Sequence, residues 1–365
     1  MRPASPRDVL GVPFMPPGSA TMATNRLRDA VGRLHRTMAP PPVRILESLF
    51  GLLEHRVLVA LCELDVPDAI DRPVTMTELA ARTGSDPERL ERLVRFAATR
   101  GWLRIDRRGR VRATRTTRFL RRDHPGGWRG WVEFAGGADV VGAVHALGAD
   151  PAVTDVFRAT HGASFFEWMA AHPDRGATFD RAMAAGGRMH ALGLAAAVDW
   201  SGTHTICDVG GGTGDLIATL LDRLPQAHGI VLDLPQVTER AVAHPRLVAV
   251  AGDAFESVPP GCDTYLLVNV LHDWNDEDAT RLLARVADAM ASEARVIVVE
   301  SEHTARPRAD MAMSADVLMA ALTPGGKERD TAGFTMLAER AGLTHQRSAR
   351  LASGDLALTY RKATQ

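Results

Sequence analysis

The heptapeptide Asp208-Val209-Gly210-Gly211-Gly212-Thr213-Gly214 constrains this chain more than any other stretch of it. It follows the apolar run Ile206–Val209 and leads into a helical pattern, so it reads as the turn of a strand–turn–helix unit. Glycines there let the chain turn tightly and let a ligand lie against bare backbone. A dinucleotide fingerprint would need glycine where Asp215 or Ile217 stands, and a P-loop would need Gly-Lys-Ser/Thr. Neither pattern is present, so no phosphate cradle is indicated.

From His204 onward, strand and helix signals alternate. Apolar runs at Ile206–Val209, Ile230–Leu232, Leu247–Val250, Tyr265–Leu271 and Val296–Val299 read as buried parallel strands. Helices are expected over 213–224, 236–243, 276–290 and 331–341, with Thr344–Leu351 and Leu356–Arg361 closing the sheet. This alternation predicts a doubly wound α/β sheet. In such a fold D-x-G-x-G-x-G is the spacing used for the amino-acid end of S-adenosylmethionine. Asp233, in Val231-Leu232-Asp233-Leu234-Pro235, ends the second strand and is placed to hold ribose hydroxyls, as acidic residues do in other nucleoside-binding α/β folds. Asp253, in Gly252-Asp253-Ala254-Phe255, ends the third strand within reach of an adenine amine.

The fourth strand runs into Val270-Leu271-His272-Asp273-Trp274-Asn275-Asp276. Asn275 or Asp276 caps the next helix, which leaves His272 at the carboxyl end of the sheet, where ligands bind in open α/β folds. Methyl transfer from a sulfonium needs an acceptor with a free lone pair. A phenol of pKa about 10 is a poor nucleophile at neutral pH, and a neutral imidazole of pKa near 6.5 is a suitable base. Such an imidazole must be oriented through its other nitrogen. The candidates are Glu300, at the end of the fifth strand, and Glu328, in Gly325-Gly326-Lys327-Glu328-Arg329. No carboxylate cluster is set up to chelate magnesium, so no metal is expected. Asp316, Met319, Ala320 and Thr323 recur at helical spacing and share one face, either core or pocket wall.

The first 42 residues, rich in Pro, Gly, Arg and Ala, read as a flexible arm with one short helix over 25–38. A helix is expected from Val43 to Leu64. Thr77 then caps a helix that starts at Glu78 and ends at Gly84, and Asp86-Pro87 starts another that runs to Arg100 and stops at Gly101. Strands Trp102–Ile105 and Val111–Thr114 flank a turn at Gly109, which completes a winged-helix pattern. Ten arginines and one acidic residue, Asp106, lie between Arg100 and Arg122; they read as a DNA-binding wing or as a solvated hairpin. Residues 125–200 look wholly helical and concentrate Trp128, Trp131, Phe165, Phe166, Trp168, Phe179, Met183 and Met189, as core or as the wall of an apolar pocket.

The formal net charge of -1 gives no global pull toward nucleic acid or anionic lipid. Basic residues are almost all arginine, with lysine only at Lys327 and Lys362, so arginine clusters carry less functional weight here. Cys62, Cys207 and Cys262 lack paired spacing, which suits a reducing cytosol and argues against disulfides or a zinc site. No stretch is apolar enough to span a bilayer, and no secretory signal is evident, so a cytoplasmic location is expected.

Together, the glycine turn, Asp233-Leu234-Pro235, Gly252-Asp253, Leu271-His272-Asp273-Trp274 and Pro324-Gly325-Gly326-Lys327-Glu328-Arg329 carry a family resemblance. Over roughly residues 45–360 the chain resembles the metal-independent small-molecule O-methyltransferases, which include caffeate-type plant enzymes and bacterial natural-product enzymes. The resemblance implies a Rossmann-like class I methyltransferase domain with a mixed seven-stranded sheet over 201–365. Ahead of it would lie a winged-helix dimerisation domain (43–124) and a helical substrate-pocket region (125–200). It implies S-adenosylmethionine as cofactor, S-adenosylhomocysteine as product, a small hydroxylated aromatic acceptor and a homodimer, with no nucleic-acid or membrane partner. His272 would be the general base, supported by Glu300 and Glu328. Cofactor contacts would be Asp208, Gly210, Gly212, Asp233, Leu234, Asp253, Ala254 and Phe255. The acceptor would meet Phe179, Met183, Asp273, Asp316, Met319 and Thr323.

Three departures separate the chain from plant members. Val268 stands where they carry lysine, Gly186 and Gly187 where serine and histidine are often found, and Thr323 where asparagine is frequent. They point away from phenylpropanoids and toward a bacterial natural-product acceptor. A ligand-sensing DNA regulator would have no use for the His272, Glu300 and Glu328 set. A relative that keeps the cofactor for decarboxylation or hydroxylation would be expected to lack the histidine.

Overall fold

The computed structural model describes residues 4–304 and 311–363. Its N-terminal segment is helical where a flexible arm was expected. Helix α1 (Pro6–Leu10) opens on a capping box in which Ser5 and Asp8 satisfy each other's backbone N–H, and α2 (Gly18–Met38) is longer than the helix expected over 25–38. Both are tied down. Trp128 Nε1 donates to Val9 O at 2.9 Å, and Thr21 Oγ1 donates to Ala352 O at 3.0 Å. Composition hid this order because the anchoring contacts are made with residues far away in the chain.

Helix α3 (Pro41–Glu63) begins inside the proline run, since proline in a first turn gives up only an N–H that has no helical partner. Then follow α4 (Val66–Ala69), α5 (Met76–Thr83), α6 (Pro87–Thr99) and the antiparallel pair β1 (Leu103–Ile105) and β2 (Val111–Ala113). The cap of α5 is Thr75, not Thr77: Thr75 Oγ1 accepts from Glu78 N at 3.2 Å. The helix starts early because Val74 is pinned to Val111 in a β-bridge, so the chain turns at the next residue. Asp86 caps α6 as expected, accepting from Arg89 N at 2.8 Å. Leu61, Leu79, Leu90, Val94 and Val111 close a small core beneath the wing. On the wing, Arg110 and Arg112 both bond Asp106, which neutralises part of its positive charge.

Helices α7 (Arg115–Phe119), α8 (Arg129–Ala135), α9 (Ala138–Ala146), α10 (Val156–His161), α11 (Phe165–Ala171) and the long α12 (Pro173–Ala197) lead to the sheet. Its strands are β3 (Thr205–Val209), β4 (His228–Asp233), β5 (Leu247–Ala251), β6 (Thr264–Val268), β7 (Arg295–Glu300), β8 (Leu343–Arg350) and β9 (Leu356–Lys362), in the order β5-β4-β3-β6-β7-β9-β8. Strands β3 to β7 run parallel, and β9, inserted between β7 and β8, runs antiparallel to both, giving the mixed seven-stranded sheet that the resemblance implied. Between them lie α13 (Asp215–Leu221), α14 (Pro235–Thr238), α15 (Asp276–Ala289), α16 (Met311–Leu322) and α17 (Thr331–Arg340). Helix α14 is shorter than the expected 236–243, because the following chain folds back and Val242 N donates to Thr213 O at 2.9 Å. Strand β6 also ends early: Asn269 takes φ 53°, and Leu271–Asp273 form a 3₁₀ turn.

Strand order reverses between β3 and β6, so a crevice opens at the carboxyl ends of these neighbours. The glycine turn leaves β3 on one side of it, and the turn bearing His272 follows β6 on the other.

Candidate active site

On the β3 side, Gly210, Gly212 and Gly214 all have positive φ, a conformation that L side chains rarely adopt. Asp233 holds the turn from the neighbouring strand: Oδ2 accepts from Gly212 N and Oδ1 from Leu234 N, both at 2.8 Å. Each oxygen keeps a further lone pair for another donor. Asp208 is buried, and its Oδ2 has no partner among the described residues. Burial, reinforced by the Asp233 charge, pushes its pKa up to about 7. A buried acceptor without a donor fits the ammonium of an amino-acid ligand. Asp253 is exposed, and its Oδ1 accepts from Phe255 N at 2.8 Å, which orders the turn through Ala254. These residues fit S-adenosylmethionine: an acceptor at its amino-acid end and a carboxylate at ribose level.

On the β6 side three acids surround His272. Its Nδ1 lies 3.0 Å from Glu328 Oε1, in a hydrogen bond, and 3.3 Å from Glu300 Oε2. Glu300 and Glu328 are 1% and 5% exposed, so both charges act in a nearly dry environment. Glu300 also builds the turn, its Oε1 accepting from Val270 N at 3.0 Å and Leu271 N at 2.8 Å. Asp273 Oδ1 lies 3.6 Å from His272 Nε2. Burial alone would lower the imidazole pKa, but the Glu300 charge, the Glu328 hydrogen bond and Asp273 outweigh it and raise it to about 10. Burial pushes Glu300 up to about 8 against the pull of His272. The carboxylates around His272 thus favour the protonated imidazole, where the sequence suggested a neutral ring near 6.5. The donor atoms of His272, Glu300 and Glu328 also lie within 4.8 Å of one another, a spacing that a cation could span. The sequence pointed to these three residues as a base with its orienting carboxylates and to no metal site.

Two further expectations change. Asp316 does not stand free in a pocket: its Oδ1 accepts from Glu328 N at 2.9 Å and positions the glutamate. Met319 is buried on α16 and Thr323 just past its end, but Thr323 Oγ1 donates to Met319 O at 3.0 Å and Ala320 is exposed, so the four residues do not share one environment. The helical rule missed this because it places residues on a face without saying what covers that face.

Beside the crevice runs an aromatic wall. Phe134 and Phe165 each pack on Phe179, at 5.3 and 5.2 Å between ring centroids, and Phe166 touches Phe165 at 5.2 Å. Phe166 then stacks on Trp274 at 5.9 Å, and Trp274 meets Phe255 edge-on at 4.7 Å. Met183 packs against the same cluster. The wall thus links the helical region to the residue after the His272 turn and to the end of β5.

Arg329 was part of a quoted motif but had no assigned task. It is the clamp on the His272 turn. Nη1 donates to Leu271 O at 3.0 Å, Nη2 to Trp274 O at 2.7 Å and Nε to Asp276 Oδ1 at 2.9 Å. Gly326 lets its loop close on the turn, for a Cβ there would come within 2.7 Å of His272 O and collide with Thr323 Oγ1.

A family model for the O-methyltransferase domain matches residues 141–344. The chain belongs to the O-methyltransferase family. A second model, for the O-methyltransferase dimerisation domain, matches residues 46–123. Over 331 residues this O-methyltransferase is 32% identical to the mitomycin biosynthesis 6-O-methyltransferase of Streptomyces lavendulae, covering 84% of this chain and 90% of the relative. It is 31% identical to a 3-amino-4-hydroxybenzoate 4-O-methyltransferase of Streptomyces cremeus, over 82% of this chain and 84% of that one. The solved structure of the mitomycin 7-O-methyltransferase MmcR matches with a TM-score of 0.79 at 30% identity, covering 92% of this chain and 99% of that one. S-adenosylmethionine is the methyl donor of this O-methyltransferase.

The dimerisation match explains the surface of α3, where Ile45, Leu46, Leu49, Phe50, Leu52 and Leu53 are all at least half exposed. Leu27, Val31, Leu34 and Met38 add an exposed stripe on α2. Replacing Leu49 and Leu53 together by glutamate should halve the mass measured in solution by light scattering. No helix among the described residues is long and apolar enough to cross a membrane.

Proposed function

We propose that this O-methyltransferase methylates a hydroxyl of an aromatic small molecule of the bacterial natural-product type, with His272 as general base. The observation that carries this reading is the paired carboxylate hold on His272 Nδ1, at 3.0 and 3.3 Å, which leaves Nε2 without a hydrogen bond among the described residues. S-adenosylmethionine, when bound, supplies a methyl electrophilic enough to need no further activation. Nε2 is placed to take the hydroxyl proton, and the acceptor oxygen would gain the methyl as the methyl–sulfur bond breaks and S-adenosylhomocysteine leaves. Glu328 and Glu300 stabilise the imidazolium that forms, and the aromatic wall with Phe179 and Met183 holds the acceptor ring by stacking and burial. Asp273, beside Nε2, and Met319 complete the acceptor side. Asp233 holds the ribose, Asp208 the ammonium, and Asp253 to Phe255 the adenine edge.

In this reading the winged-helix unit spans 43–124, the pocket helices 125–200 and the methyl-transfer unit 201–365. A reducing, cytoplasmic setting suits three cysteines that are all buried and unbridged. The acceptor class is supported by the wall and by the likeness to an enzyme named for a hydroxybenzoate. Incubating the protein with S-adenosylmethionine and a panel of phenols, with mass spectrometry of the products, tests it. Gain of one methyl group on a hydroxyl supports the reading, and methylation confined to amines refutes it.

Two expected outcomes follow. The base acts only when His272 has lost its proton, so kcat/KM should rise with pH through a pKa above the ordinary imidazole value. In Glu328→Gln one of the groups that raises this pKa is gone, and the inflection should move to lower pH. An inflection belonging to the acceptor's own hydroxyl would stay in place. Activity should also survive dialysis against a chelator, since His272 Nδ1 is engaged by carboxylates. Loss of activity on chelation, restored by a divalent cation, would assign the His272, Glu300 and Glu328 cluster to a metal instead.

A further inference from the structure

Phe179, Met183, Gly186 and His190 fall at i, i+4, i+7 and i+11 of α12, so they share one helix face. Both ends of that face are tied to neighbouring elements. Phe179 joins the aromatic wall, while His190 Nε2 bonds Asp355 Oδ2 at 2.8 Å, and Asp355 Oδ1 accepts from Ser301 Oγ at 2.7 Å, next to Glu300. At Gly186 the face is bare. Among the described residues outside the helix itself, the only heavy atom within 4 Å of the place a Cβ would take is Trp131 Nε1, at 3.9 Å. That indole nitrogen is buried and has no acceptor among the described residues. A buried donor left without a partner calls for an explanation.

The position of the gap says what would fill it. One residue on, a Cβ at Gly187 would meet Leu216 Cβ at 3.3 Å and Leu216 N at 3.6 Å, in the first turn of α13. The gap thus lies beyond Met183, at the level where the glycine turn enters its helix, which is the amino-acid end of the cofactor crevice. Arg188, the adjacent cation, has Nη1 paired with Asp215 at 2.5 Å, while its buried Nε, like the indole, has no acceptor among the described residues. An amino-acid ligand brings one ammonium and one carboxylate. Asp208 offers an unused acceptor for the first, and the indole N–H offers an unused donor for the second.

We propose that Trp131 Nε1 donates to the carboxylate of S-adenosylmethionine, in the space left open by Gly186. The assignment rests on the cofactor reading of the glycine turn. It makes Trp131, on a helix far from the nucleotide-binding strands, a cofactor-recognition residue. It also gives the glycine at 186 a reason: any side chain there would compete with the carboxylate for the indole.

Calorimetric binding of S-adenosylhomocysteine and of its decarboxylated analogue, S-adenosyl-3-thiopropylamine, to wild type and Trp131→Phe closes a double-mutant cycle. Phenylalanine keeps an aromatic ring against Phe134 and removes only the donor. The expected result is a loss of about tenfold or more in affinity for S-adenosylhomocysteine, as for deletion of a hydrogen bond to a charged group, with the analogue bound as by wild type. Gly186→Ala, whose Cβ stands at ordinary contact distance from the indole, should show the same ligand selectivity. Equal losses for both ligands would assign Trp131 to packing and overturn the proposal. Unchanged S-adenosylhomocysteine affinity with a raised acceptor KM would overturn it in favour of an acceptor contact. A wild type that binds neither ligand would refute the cofactor reading, and this assignment with it.

Discussion

Replacing His272 by alanine should lower kcat by about 10²- to 10⁴-fold, the usual contribution of a positioned general base, while S-adenosylhomocysteine binds as it does to wild type. The separation follows from the layout. The glycine turn, Asp208 and Asp233 lie at the ends of β3 and β4, whereas His272 follows β6 and, among the described residues, touches them through no hydrogen bond. The loss should appear in single-turnover methyl transfer at saturating cofactor, which separates the chemical step from product release. Alanine also leaves Glu300 and Glu328 facing each other without the imidazole. Burial already raises Glu300, so Glu300 is expected to take up a proton in the variant instead of unfolding the site. His272→Gln, closer in size, should be about as impaired as alanine if proton transfer is the function lost. Near-normal turnover in glutamine would make the residue a spacer.

Arg329→Met should destabilise the protein by about 3 kcal/mol and cut activity, although Arg329 touches no acceptor or cofactor. Its side chain is only 4% exposed and makes four hydrogen bonds, three of them to the carbonyls of Leu271, Trp274 and Lys327. Methionine replaces the volume but removes the guanidinium donors from those carbonyls, leaving Leu271 O with only the long bond from Trp274 N at 3.3 Å, and that deficit supplies most of the loss. The ion pair with Asp276 supplies less, because Asp276 is 36% exposed and its charge is screened by solvent. A thermal melt should register the change, with S-adenosylhomocysteine affinity per folded molecule retained. Arg329→Lys should not restore stability, because one ammonium cannot span carbonyls that a planar guanidinium reaches from separate nitrogens. A methionine variant that melts with wild type would remove the clamp from this account.

The sheet was legible in the sequence because buried strands write themselves as short apolar runs and the turns between them as glycine and acid. His272 and Glu300 were legible for the same reason, each lying at or just beyond a strand end. Glu328 was different: loop geometry has no periodicity, and only its surrounding motif marked it. Arg329 went unread because a buried arginine looks like any other in a chain that uses arginine for nearly all its positive charge. The order in α1 and α2 went unread because it depends on Trp128, Thr21 and Ala352 meeting across the fold. The protonation of His272 could not be read either, since it depends on how dry the site is and on two carboxylates arriving at one nitrogen. Asp316 was placed on the correct helix, but its oxygen serves the Glu328 backbone.

The most direct test of His272 as the base uses acceptors of graded acidity. Once a phenolic acceptor is in hand, ring-substituted versions of it can be compared at one pH with wild type and His272→Ala by single-turnover methyl transfer. If the imidazole removes the hydroxyl proton, the deficit of the variant should be largest for the least acidic phenol. It should shrink toward nothing as the phenol pKa falls below the assay pH, because an oxygen already ionised needs no base. A deficit of the same size for every phenol in the series would contradict that role and leave His272 as a residue that only shapes the site.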